Sequence, residues 1–194
     1  MNSDKIADLR DLGFADPVKM VTSFPVILNL AMENIRGKIA DLRELGFADP
    51  VKMVTSSPAI LDLAMENIRG KIADLRDLGF ADPVKMITSF PAILSLTIEN
   101  IRTRIDDLRD LGFADPVKMV TSTPTILGYA RERVLHCGRI VMCLEERTDN
   151  MLGRLIKESR AVIDAVAVAQ PRTWSDVRAI IVLAKKGGAK TAKG

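Results

Sequence analysis

Two basic residues recur through this 194-residue chain at a constant interval of 33: Arg10, Arg43, Arg76 and Arg109, and Lys19, Lys52, Lys85 and Lys118. A cation copied at fixed spacing is a ladder, and a ladder of cations has the chemistry to meet a polyanion whose phosphates also repeat. The residue types needed for other chemistry are scarce. One histidine, His136, and two cysteines, Cys137 and Cys143, are too few for a zinc set or a disulfide framework. The recurring Ser and Thr of the VTS segments have no recurring histidine to activate them as nucleophiles. No catalytic residue, metal or cofactor is expected.

Two further basic ladders carry local acids. Lys5, Lys38 and Lys71 each precede an aspartate by three residues (Asp8, Asp41, Asp74), and Arg36, Arg69 and Arg102 each follow a glutamate by three (Glu33, Glu66, Glu99). Neutralisation within the helix is expected for both sets. The Arg10 ladder is expected to stand clear of acidic partners in its own helix, and the Lys19 ladder to have only the aspartate three before it. These eight residues are therefore the expected phosphate contacts. The competing expectation is that Arg10-type residues pair with Asp11-type residues of the next copy, in individually weak surface ion pairs.

The positions that differ between copies form a second candidate set. The first two blocks differ at only four positions. Variation concentrates at Phe24, Ser57, Phe90 and Thr123; at Val26, Ala59, Ala92 and Thr125; and at Asn29, Asp62, Ser95 and Gly128. The last two sets lie three residues apart, on a face expected to point away from Ile27 and Leu28. In a modular reader they would meet successive units of a ligand; on a surface without a ligand they are simply free to drift.

The elements that must position these residues follow from the repeat. Aligned from Lys5, Lys38, Lys71 and Arg104, the blocks begin KIADLRDLGFADPVKM, KIADLRELGFADPVKM, KIADLRDLGFADPVKM and RIDDLRDLGFADPVKM. A period in this range means a stack of one small unit, each burying its apolar face on its neighbours. Apolar residues fall at spacings of three and four, so helices are expected and strands are not. Helix A spans about 5–12 with Ile6, Leu9 and Leu12 inward and Ser3 capping its first copy. Gly13, Gly46, Gly79 and Gly112 end it at positive φ, with Phe14 folding back onto Leu9. Asp16 caps a short helix B that Pro17 opens, with Val18 and Val21 inward. Helix C opens at Pro25 with Ser23 as cap and buries Ile27, Leu28, Ala31 and Ile35. Met20 and its copies are read as core filler.

The fold class predicted is all-α: a solenoid of four roughly three-helix repeats in a superhelix over residues 1–136, closed by a helical C-terminal cap over 137–185. In that cap, helix C of the fourth block runs on through Ile140 and Leu144. Thr148 or Asp149 caps one long helix, Gln170-Pro171 breaks it, and Thr173–Asp176 forms a capping box for the last helix. Residues 186–194 are expected to be a disordered basic tail. No apolar run is long enough to span a membrane. The opening MNSDKIADLR enters the first repeat at once, so no targeting leader is seen and an intracellular place is expected, cytoplasmic or, for a mature form, organellar.

The frame leucine-x-x-LGF, then PVKMV, P-x-IL and ENI, resembles the repeat of the mitochondrial transcription termination factor (mTERF) family. The resemblance covers residues 5–136 without gaps. It implies a left-handed helical superhelix with a groove that binds duplex DNA or RNA, some members also working through protein partners. Nucleic acid, duplex DNA ahead of RNA, is thus the expected partner. A protein-interaction scaffold is the alternative, because residues 1–136 hold 17 Lys and Arg against 19 Asp and Glu, a net of −2, while residues 137–194 carry a net of +5.

Overall fold

The computed structural model describes residues 2–148 and 150–191, with side chains from 4 to 186. All regular structure among these residues is helical. One pattern recurs: a long α-helix, a short α-helix and a five-residue 3-10 turn. The first copy is α1 (Asn2–Asp11), α2 (Pro17–Ser23) and the turn Pro25–Asn29. The second is α3 (Met32–Glu44), α4 (Pro50–Ser56) and Pro58–Asp62. The third is α5 (Met65–Asp77), α6 (Pro83–Ser89) and Pro91–Ser95. These nine elements make one compact unit, residues 1–96. The second unit, 97–194, opens with the fourth copy, α7 (Ile98–Asp110), α8 (Pro116–Ser122) and Pro124–Gly128. It continues with α9 (Arg131–Met142), α10 (Met151–Leu155), α11 (Arg160–Ala169) and α12 (Trp174–Thr191).

The expected helix C does not exist as one helix. Pro25 opens a 3-10 turn, a form rarely sustained beyond a few residues. Leu30 and Ala31 are then extended, with ψ of 137° and 143°, and the chain restarts at Met32. The helix that begins there runs across the block boundary, joining the end of one block to helix A of the next. Ile35, Ile39 and Leu42 make one continuous buried stripe along α3, which is why Gly37 sits inside a helix despite its propensity cost of about 1 kcal/mol. Ser23 caps nothing; its hydroxyl donates back to the Lys19 carbonyl at 2.8 Å. Ser3 lies within α1.

The glycine stop is as the spacing predicts. Gly13, Gly46, Gly79 and Gly112 have φ of 95°, 95°, 93° and 94°. Gly13 N–H donates to Arg10 O and Phe14 N–H to Leu9 O, the paired bonds of a Schellman cap. Phe14 and Leu9 are both buried beneath it.

Identical sequences bury differently according to their neighbours. Val54 and Ile87 are fully buried, while Val21, the same position in the first copy, is half-buried. Val18 is 56% exposed, against half-buried Val51 and Val84, so it does not face inward as expected. Leu12 and Leu45 are also only half-buried, and Ala31 is exposed; the full core positions are Leu9, Ile27 and Ile35 with their copies. Met20, Met53, Met86 and Met119 do fill the core.

In the second unit the long helix expected after Asp149 is divided. Asp149 itself lies outside the described residues, and α10 ends at Leu155. Ser159 then caps α11 through Val162 N–H. Gln170 ends α11 in the left-handed conformation, and Thr173 and Asp176 form the reciprocal capping box that opens α12. The helix α12 continues to Thr191, through most of the stretch expected to lack structure. Two glycines allow close packing here. A Cβ on Gly138 would meet Leu111 at 2.6 Å, and one on Gly153 would meet Thr123 at 2.7 Å.

Candidate nucleic-acid interface

Each candidate arginine sits in the last turn of a long helix, two residues before the cap leucine. At Arg10 the main-chain carbonyl is already taken by Gly13 N–H at 2.9 Å, so the backbone beneath the side chain is fixed. The guanidinium also lies near the negative end of the helix dipole, which favours a cation there. The candidate lysine follows nine residues later. Asp16 caps α2 by accepting from Lys19 N–H at 2.9 Å, and Asp49, Asp82 and Asp115 repeat this at Lys52, Lys85 and Lys118. Lysine in the first turn opposes the helix dipole, so nothing in the helix itself calls for it. The result, copied four times, is a corner between long and short helices with an arginine on one arm and a lysine on the other, all eight exposed.

Arg10, Arg43 and Arg76, with Lys19, Lys52 and Lys85, make no ion pair among the described residues. The pairing with Asp11-type residues of a neighbouring copy is not formed. Arg109 is the exception to the expected ladder. Where the other copies have Ala7, Ala40 and Ala73, the fourth has Asp106, one turn before Arg109, and the two are ion-paired and hydrogen-bonded. Acidic neighbours are not absent from the corners: Asp11, Glu44, Asp77 and Asp110 are exposed beside the arginines.

The other two basic ladders are occupied, though not by the expected acids. Lys5 Nζ donates to the carbonyls of Leu28, at 3.1 Å, and Leu30; Lys38 reaches Leu63 O and Lys71 reaches Leu96 O. These are the orphan carbonyls where the 3-10 turn ends, and a cation is a natural partner for them. Arg36 lies 3.8 Å from Asp8 of the preceding long helix rather than against Glu33. Sequence spacing within one helix could not show either contact, since the partners lie 25 and 28 residues away. Arg133 makes the same clamp one helical turn earlier in α9, donating to Ile156 O at 2.7–2.9 Å and to Glu158 O.

The variable positions Val26 and Asn29, Ala59 and Asp62, Ala92 and Ser95, Thr125 and Gly128 fall on the 3-10 turns, and all are exposed. Residues three apart eclipse in a 3-10 helix, so each turn offers one stacked pair. The pair stands at the far end of the short helix from the arginine–lysine corner. The seven-residue helix between them sets a separation of about 10 Å.

Where the fourth copy meets α9, charge is used structurally. Asp107 is buried and accepts two bonds from Arg131, at 2.5 and 2.7 Å, which hold its carboxyl below the usual range. Burial lowers the Arg104 guanidinium from its ordinary value, partly opposed by Asp107. Cys137 is fully buried, and burial pushes its thiol up to about 11, the mark of an inert packing cysteine.

No curated protein matches the chain. The family model of mTERF matches residues 2–158, beyond the four near-identical blocks and through α9 and α10, which repeat the order of long helix and short helix. Proteins of that family are in general nucleic-acid-binding helical repeat proteins. The match takes in most of the chain and every corner described above, and the chain belongs to the mTERF family.

Proposed function

We propose that this protein binds duplex nucleic acid, DNA ahead of RNA, without catalysing a reaction. Residues 1–136 act as the binding array and 137–185 as its closing cap. Arg10, Arg43 and Arg76 with Lys19, Lys52 and Lys85 contact phosphates; Arg109, held by Asp106, contributes less. The stacked pairs at Val26/Asn29, Ala59/Asp62, Ala92/Ser95 and Thr125/Gly128 face the ligand where sequence is read. The observation that carries this reading is the threefold repetition, in the first unit, of an exposed arginine and lysine at one corner with no ion-pair partner among the described residues. Membership of a nucleic-acid-binding family supports it. Phosphate contacts position a protein on a duplex and base contacts specify the site.

The net charge of −2 over residues 1–136 favours a second reading, a scaffold for a protein partner. A salt titration of duplex affinity separates the two. Arg43→Ala with Arg76→Ala should weaken binding to all sequences alike and lower the log–log salt slope by about one unit per lost contact. Lys38→Ala with Lys71→Ala should leave the slope unchanged and lower thermal stability, because those lysines hold main-chain carbonyls. Wild-type protein that binds neither duplex DNA nor duplex RNA at low salt would return the function to the scaffold.

A further inference from the structure

We infer that the C-terminal cap carries a phosphate contact of its own: the cavity between α9 and the end of α11 takes a phosphodiester group of the bound strand. The inference rests on the nucleic-acid reading above and adds a site outside the repeats. Its starting point is the charge distribution. The array of residues 1–136 is net −2 and the remainder net +5, so the attraction that brings a polyanion to this chain lies mostly in its C-terminal part.

A cavity of about 560 Å³ there has the lining that charge calls for. Arg139 stands on α9 and Arg172 follows Pro171; both are exposed, and neither has an ion-pair partner among the described residues. Arg139 has no acidic residue three or four positions away in its helix. The main chain under Arg172 is fixed, since its carbonyl accepts from Glu145 N–H at 2.8 Å, while its guanidinium is left over. No carboxylate lines this cavity. The nearest facing it is Asp164, 3.6 Å from the buried Nε2 of His136 and already 3.8 Å from Arg160. That imidazole nitrogen lines the same wall and has no hydrogen-bond partner. Guanidinium forks match phosphate oxygens, and the adjoining Ile140 side chain lowers the local dielectric, which strengthens the contact.

A second, independent observation is the backbone. Gln170 is the one non-glycine residue at positive φ among the described residues, at 47°. An αL conformation at such a residue is strained and tends to persist where a side chain must be aimed. The Gln170 side chain lines this cavity, adding an amide donor.

The test uses the full chain and three readouts. In a salt titration with a short duplex DNA, Arg139→Gln with Arg172→Gln should lower the log–log slope by about two units, one per lost phosphate contact. His136 is the chain's one histidine, so its imidazole NMR signals report on the cavity alone; duplex should shift them in the wild type and not in the double variant. Exposed Cys143 lines the cavity and Cys137 is buried, so duplex should slow alkylation of Cys143. Wild-type binding with an unchanged slope in the variant and an unmoved His136 overturns the cavity and leaves the array reading intact. His136 signals that move with inorganic phosphate but not with duplex make the cavity a free-anion site and overturn the strand contact. A wild type silent toward both duplex DNA and duplex RNA fails the parent reading, and this one with it. Should the double variant not fold, as judged by its far-UV spectrum, the wild-type His136 and Cys143 readings decide alone.

Discussion

At the scale of the residue, burial separates positions that periodicity treats as equal. Leu42 and Leu45 are both members of the three-residue stripe, yet Leu42 is fully buried and Leu45 half-buried. Leu45 belongs to the glycine cap, past the last regular turn, and the stripe rotates away from the core there. Leu42→Ala should therefore cost ~2–5 kcal/mol, the range for a large-to-small change in a packed core. Leu45→Ala should cost clearly less, and Asn29→Ala, on an exposed 3-10 turn, should fall within about 0.5 kcal/mol of wild type. Denaturant midpoints of the three variants check the order. Equal losses at Leu42 and Asn29 would show the inner and outer faces to be wrongly assigned.

Among the elements, glycine tells which phase of the repeat the chain uses. Gly46 and Gly70 look alike in the alignment as candidate helix ends. Gly46 has φ of 95° and closes α3, while Gly70 lies inside α5 at ordinary helical angles; neither would bring a Cβ within 4 Å of another atom. The substitution to alanine thus has opposite signs at the two places. Gly70→Ala should raise stability by about 0.5–1 kcal/mol through helix propensity. Gly46→Ala should lower it by about 1–2 kcal/mol, the cost of a left-handed residue with a Cβ. Thermal melts of the two variants decide it, and a gain at Gly46 would contradict the Schellman geometry. Gly153→Ala should be worse than propensity predicts, because its Cβ would press on the stiff Thr123 side chain at 2.7 Å.

For the whole molecule, the joint between the fourth copy and α9 is held by a charge pair that the inner repeats lack. Arg131 occupies the place of Met32, Met65 and Ile98, and Asp107 is buried against it. The Asp107 carboxyl is held down chiefly by its bonds from Arg131, and that of Asp176 by its bonds with Thr173. A carboxyl depressed in the folded state adds stability that is complete above its unfolded value of about 3.9 and is lost as pH falls through the folded value. The melting temperature should accordingly drop on acidification below that point. Asp107→Asn should melt lower at neutral pH and show a shallower acid decline. An acid limb of unchanged steepness in the variant would mean that this pair does not carry the effect.

How much of this was legible in the chain depends on the range of the interaction. The 33-residue period, the glycine stop with its positive φ, the Asp-Pro start of the short helix and the Thr173–Asp176 box are all local, set by residues within one turn of each other, and the sequence by itself determined them. It determined the helical class and the family likeness for the same reason, since each copy repeats the same local instructions. Tertiary structure alone decided the phase of the repeat, because Gly37 and Gly70 are compatible with a helix end or a helix interior until Ile35, Ile39 and Leu42 are seen to share one buried stripe. It alone decided the use of Lys5, Lys38 and Lys71, whose carbonyl partners are 23 to 25 residues distant, and the burial of Val54 where identical Val21 is open. Arg139 and Arg172 meet at one cavity only because α9 and α11 pack together, a contact between segments more than 30 residues apart that no periodicity encodes.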